Sequence, residues 1–74
     1  MKLKEAQKYA MSDDTLLPGT YWVAADKGGL IYLYEKEQPI AQDSVWNTDT
    51  YCTCLFEDYS GKKHWTKAIR KFEV

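Results

Sequence analysis

Two runs rich in β-branched and aromatic residues, Thr20 to Ala25 and Leu30 to Glu35, stand on either side of Asp26-Lys27-Gly28-Gly29. No other feature of the 74-residue chain constrains its fold as strongly. Both runs have the length and composition of strands, and the paired glycines supply the positive φ of a tight turn, so an antiparallel hairpin is expected here. Side chains alternate across a strand, which puts Trp22, Tyr32 and Tyr34 on one face and Val23, Ile31 and Leu33 on the other. Both faces are apolar, and each needs something to cover it.

The flanking segments offer the covers. Residues 2–10 are good helix formers with Leu3, Ala6 and Ala10 on one side and lysines on the other, which predicts a short helix within residues 1–11. A helix of this length is marginal in water and has to dock. Ser12 to Thr15 and Pro18-Gly19 are turn residues that end it. Lys36 to Asn47 contains Pro39 and many polar residues, so residues 36–49 read as an irregular connection anchored by Ile40, Val45 and above all Trp46. Tyr51 to Phe56 and His64 to Ile69 read as a second hairpin around residues 57–63, with Arg70 to Val74 extending it or adding a strand. In Tyr51 to Phe56, alternation assigns Cys52, Cys54 and Phe56 to the core. Trp65 and Phe72 fall on opposite faces of the last run, which calls for a bulge near Lys67. The expected architecture is one α+β domain over residues 1–74, a short N-terminal helix packed on a small antiparallel sheet of four to five strands.

Composition narrows the function classes. A hydrophobic fraction of 45%, a charged fraction of 28% and a net charge of -1 belong to an ordinary globular chain and exclude a disordered or nucleic-acid-mimicking acidic tail. A domain this small buries one thin core and has no room for a large, deep active-site cleft. No apolar run approaches the ~20 residues of a membrane-spanning helix, and the start of the chain has no apolar leader, so no membrane partner is expected. Cys52 and Cys54 are too close in sequence for an unstrained disulfide, which implies free thiols and a reducing, cytoplasmic setting.

His64 is the one histidine, and nucleophilic catalysis would need it beside Cys52, Cys54 or Ser60. Cys52, Cys54 and His64 are also three potential metal ligands, but structural zinc takes four and spaces its cysteines more widely. Packing accounts for all three residues, so neither an enzyme, a metal nor a cofactor is expected. Charge is uneven: Glu35, Glu37, Asp43, Asp49, Glu57 and Asp58 share their segment with Lys36 alone, whereas Lys62, Lys63, Lys67, Arg70 and Lys71 crowd the C-terminal part. Lys62, Lys63, Lys67 and Arg70 with Trp65 form a candidate nucleic-acid surface, against which the overall charge weighs; lysines guarding a sheet edge are the other explanation.

Aromatic residues make up 15% of the chain, six of them tyrosine and three tryptophan, more than a thin core can hide. This excess points to a protein-binding surface drawn from Trp22, Tyr32, Tyr34 and Trp46, flanked by Glu35, Glu37 and Asp43. The partner would be another protein or a second copy of the chain in a homodimer. A well-filled core with scattered exposed tyrosines is the competing explanation.

The stretch from Tyr21 through the Gly28-Gly29 turn and Pro39 to Trp46 resembles small uncharacterised β-rich accessory proteins encoded by bacteriophages and prophages. In that group a strand ending near Ala-Asp-Lys, a glycine turn, an aromatic strand, a proline and then a tryptophan recur, although Asp-Gly or Asn-Gly is the more usual turn. The resemblance implies a viral protein of the host bacterial cytoplasm that binds a host protein and blocks it, such as a component of antiviral defence, CRISPR effectors included. It carries over no catalytic residue.

Overall fold

The computed structural model describes all of residues 1–74 and forms an α+β domain. Helix α1 (Leu3–Met11) is followed by β1 (Thr20–Ala25), β2 (Ile31–Glu35), β3 (Ile40–Gln42), β4 (Val45–Asn47), β5 (Cys52–Phe56), a 3₁₀ turn (Trp65–Lys67) and β6 (Ile69–Glu73). Four strands make one antiparallel sheet in the order β5-β2-β1-β6, and β3 and β4 pair separately. The central strand β1 is buried from Tyr21 to Ala25 because the sheet is covered on both faces.

The first hairpin follows its sequence signal. Tyr21 pairs with Glu35 and Ala25 with Ile31, and Gly29 takes φ +88° in the turn. The Asp26 carboxylate, almost fully buried, accepts hydrogen bonds from the backbone N–H groups of Gly28 and Leu30, each at 3.0 Å. The turn is therefore capped from inside by an Asx-type contact.

On one face α1 lays Ala6 and Ala10 against Val23, Ala25, Ile31 and Phe72, and Leu3 and Leu33 pack at the margin. Two alanines on the contact side let the helix approach the sheet closely. Glu5 accepts from the Lys2 backbone N–H at 3.1 Å and places a negative charge in the first turn, while Lys8 lies in the last, both favourable to the helix dipole. The opposite face gathers Trp22, Ala24, Tyr34 and Trp46, with Tyr32, Cys52, Trp65 and Ile69 around them.

The second cover is the main correction to the sequence reading. Residues 36–49 are not irregular throughout, since Ile40 pairs with Asn47 and Gln42 with Val45 in a tight hairpin. Its two turn residues, Asp43 (φ 51°) and Ser44 (φ 76°), are both left-handed, as a two-residue turn matching strand twist demands. Trp46 does fasten this segment: its indole N–H donates to the Ala25 carbonyl at 2.9 Å, and the Tyr34 hydroxyl donates to the Trp46 carbonyl at 3.2 Å.

The expected second hairpin is absent. β5 pairs with β2, and β6 pairs with β1, so the two segments form opposite edges of the sheet. Residues 64–68, expected in that hairpin, form the 3₁₀ turn and its caps, where His64 Nδ1 accepts from the Thr66 N–H at 3.3 Å. That turn, and no bulge near Lys67, lets Trp65 pack with the hairpin-side cluster and Phe72 with the helix-side cluster. The register shift lies instead between Ile31 and Tyr32 opposite β5, and it turns both Leu55 and Phe56 toward the helix side. Cys54, paired with Tyr32 on the edge strand, is exposed, while half-buried Cys52 packs against the hairpin-side cluster, so only one of the two thiols that alternation assigned to the core reaches it.

Candidate functional site

Three of the four aromatic residues expected on a partner surface are core residues. Trp22, Tyr34 and Trp46 are 7%, 2% and 8% exposed, because the β3–β4 hairpin covers the face they share. They cannot serve as an open contact patch. Tyr32 is half-buried beside them, its ring 6.2 Å from that of Tyr34. Between the hairpin and β5, however, the rims of Tyr32, Tyr34, Val45, Trp46, Cys52 and Asp26 leave a small cleft of about 210 Å³. The acidic residues assigned to the same surface are not part of its lining. Asp43 lies in the β3–β4 turn, Glu37 lines a separate polar depression with Gln42 and Asp49, and Glu35 is half-buried at the end of β2.

Beside this cleft β5 is an edge strand. Its sequence, Cys-Thr-Cys-Leu-Phe, has no charge and no proline, and Thr53 and Cys54 are exposed. The other edge, β6, carries Arg70, Lys71 and Glu73, the charged residues that ordinarily protect an edge from pairing. Tyr51, just before β5, is 72% exposed.

Burial pushes the Tyr34 hydroxyl well above the usual tyrosine range, with the Cys52 thiol, Asp26, Tyr32 and Cys54 adding in the same direction. Tyr32 is raised too, chiefly by Cys54. The neutral form of Tyr34 is thus favoured by folding, and its contribution is complete below the unfolded value near pH ~10 and is lost as pH rises beyond it. Urea midpoints measured from pH 8 to 11.5 should fall for the wild type above pH ~10. Tyr34→Phe should start lower, by about 1 kcal/mol for the lost hydrogen bond, and lose less over the same range. Parallel curves would assign the alkaline loss to other groups.

The basic residues fare differently. Lys62, Lys63 and Arg70 converge with Lys2, Leu3, Tyr59 and Gly61 around a cleft of about 430 Å³, whereas Lys67 lies outside it. Trp65 lines a neighbouring cleft with Lys27, Gly28, Gly29, Tyr59, Lys63 and His64. Lys2 and Lys27 are far in sequence from residues 62–70, and Tyr59, though in the same loop, carries no charge that would group it with them. Pairing of β5 with β2 leaves no cross-strand route by which His64 meets Cys52 or Cys54. No three His, Cys, Asp or Glu side chains are grouped so as to hold a metal ion, and no helix is long and apolar enough to cross a membrane.

Comparison with known proteins finds no family model, no curated protein and no solved structure that matches the chain.

Proposed function

We propose that this chain is a binding protein that captures another protein by adding an extended segment of it to the β5 edge. The observation that carries this reading is the open, uncharged edge of β5 next to the cleft between Tyr32, Val45, Trp46 and Cys52. Strand addition needs both parts. Backbone hydrogen bonds along the edge give affinity, and a pocket for one of the alternating side chains gives selectivity. A cleft of about 210 Å³ suits a single apolar side chain.

Charge selects among occupants. Asp49 precedes β5, Glu57 and Asp58 follow it, and Asp26 lines the cleft, so a segment with an apolar centre and basic flanks is complementary. Self-pairing of two β5 strands about Cys54 would set each copy's Asp58 opposite the other's Thr50, next to Asp49, so acids meet at both ends without a cation. A different protein with basic flanks fits this edge better than a second copy, and the action is stoichiometric binding without turnover. The phage-type resemblance of Tyr21 to Trp46 favours the same mode, inhibition of a host protein.

Tagged wild type, Tyr32→Ser and Cys54→Lys should be compared in nuclease-treated bacterial lysate. One protein recovered in stoichiometric amount by the wild type and lost by both variants, each still folded by circular dichroism, is the expected result. Equal recovery by Cys54→Lys would remove the β5 edge from the interface, and a catch that vanishes with nuclease would reject direct protein capture.

A further inference from the structure

The two clefts around residues 59–65 adjoin, with Tyr59 and Lys63 lining both. Five cationic side chains border them: Lys2, Lys62, Lys63 and Arg70 at the first, Lys63 again and Lys27 at the second. None of these is neutralised by a carboxylate, since the one ion pair in the structure joins the Met1 amino group to Asp58 at 3.8 Å. Arg70 uses its Nε–H on the neutral Gln7 amide oxygen. One carboxylate, Asp26, also lines the second cleft, where its Oδ1 faces the Gly28 and Leu30 N–H groups, so five cations border the two clefts against one acid. Uncompensated positive charge concentrated in a concave surface attracts an anion.

The second cleft adds aromatic surface. Trp65 is held edge-on against Trp46, with ring centroids 6.1 Å apart at 84°, and His64 lies 6.2 Å from it at 35°. Trp65 is the one tryptophan that is not buried, and it stands across the cleft from the Gly28-Gly29 turn, whose lack of side chains keeps that wall open. Tyr59 stands over the backbone between the two clefts, so close to Gly61 that an added Cβ would collide with its ring and hydroxyl.

We propose that these clefts form a track for a short stretch of single-stranded nucleic acid, with phosphates among Lys2, Lys62, Lys63 and Arg70 and a base against Trp65. Alternation of cations with an aromatic platform is the recognition chemistry of unpaired nucleotides. A carboxylate-rich peptide would use the cations but has no group that needs the indole face. The net charge of -1 does not oppose this, because Glu35, Glu37, Asp43 and Asp49 line neither cleft, and the two clefts together carry five cations against the single carboxylate of Asp26. The track shares only Asp26 with the β5-side cleft and stands independently of the protein-capture reading.

The test is fluorescence anisotropy with labelled 12-nucleotide oligo-dT and the matching duplex, at several salt concentrations. The single strand should bind more tightly than the duplex, with log affinity falling against log salt at a slope of about -2 if three phosphates are contacted. Arg70→Ala and Lys63→Ala should each weaken binding about tenfold and flatten that slope, while Lys36→Ala changes neither. Because Trp22 and Trp46 are buried, quenching of tryptophan emission on binding reports Trp65, and it should disappear in a Trp65→Leu variant that remains folded. Failure to bind at low salt, equal binding of duplex, binding without quenching, or equal displacement by poly-glutamate would each overturn the proposal.

Discussion

Truncation of Trp46 to alanine is expected to destabilise the protein by about 3–5 kcal/mol, a large share of the roughly 5–15 kcal/mol typical of a whole domain. The indole fills the space between the β3–β4 hairpin and the sheet, where it packs with Trp22, Ala24 and Tyr34. It also supplies the N–H that satisfies the Ala25 carbonyl at 2.9 Å. Alanine removes both at once, and the hairpin keeps only buried Pro39 and its bonds through Ser44 and the Trp46 carbonyl, since Ile40 is 71% and Val45 40% exposed. Urea unfolding followed by far-ultraviolet circular dichroism gives the loss directly. Trp46→Phe separates the two parts, because it keeps most of the ring but leaves the carbonyl unpaired, at a cost of about 1–3 kcal/mol. Val45→Ala, on the same hairpin, should change stability by less than about 1 kcal/mol. A Trp46→Ala loss no larger than that of Val45→Ala would mean the hairpin is not a structural cover.

Asp26→Ala is expected to cost about 2–4 kcal/mol, since two backbone N–H groups lose a charged acceptor together. The carboxylate is only 8% exposed and holds the Gly28 and Leu30 amides at 3.0 Å each. This turn sets the β1–β2 register and joins the Ser44 carbonyl through the Lys27 N–H at 3.0 Å. Asp26→Asn keeps an acceptor oxygen and should lose only about 1 kcal/mol. Amide exchange provides the local readout: the Leu30 N–H should exchange much faster in Asp26→Ala than in Asp26→Asn. Equal protection in the two variants would show that the carboxylate is incidental to the turn.

These two residues also mark how far the sequence could be read. Asp26 was recognisable as a turn residue and Trp46 as an anchor, because both signals are local. The role each takes depends on atoms distant in sequence, the Ala25 carbonyl for Trp46 and a burial that the β3–β4 turn completes for Asp26. The β3–β4 hairpin gave only a weak turn signal, since Asp43-Ser44 lacks the glycine that usually takes the positive φ both residues adopt here.

The candidate surfaces divide in the same way. Lys62, Lys63 and Arg70 could be grouped because they lie within one short C-terminal segment, yet Lys2 and Lys27 join them only where the start of α1 and the β1–β2 turn approach the loop before β6. The aromatic excess was evident, but which rings are buried was not, because burial depends on what covers the sheet.

From sequence alone come the N-terminal helix, the first hairpin and the α+β class, each fixed by periodicity and turn chemistry within a few neighbouring residues. Strand order, the cover over Trp22 and Tyr34, and the open edge at β5 were decided only in three dimensions. The physical reason is that β1 can pair on both sides, and alternation within a strand says which residues share a face but not which strand lies beside it.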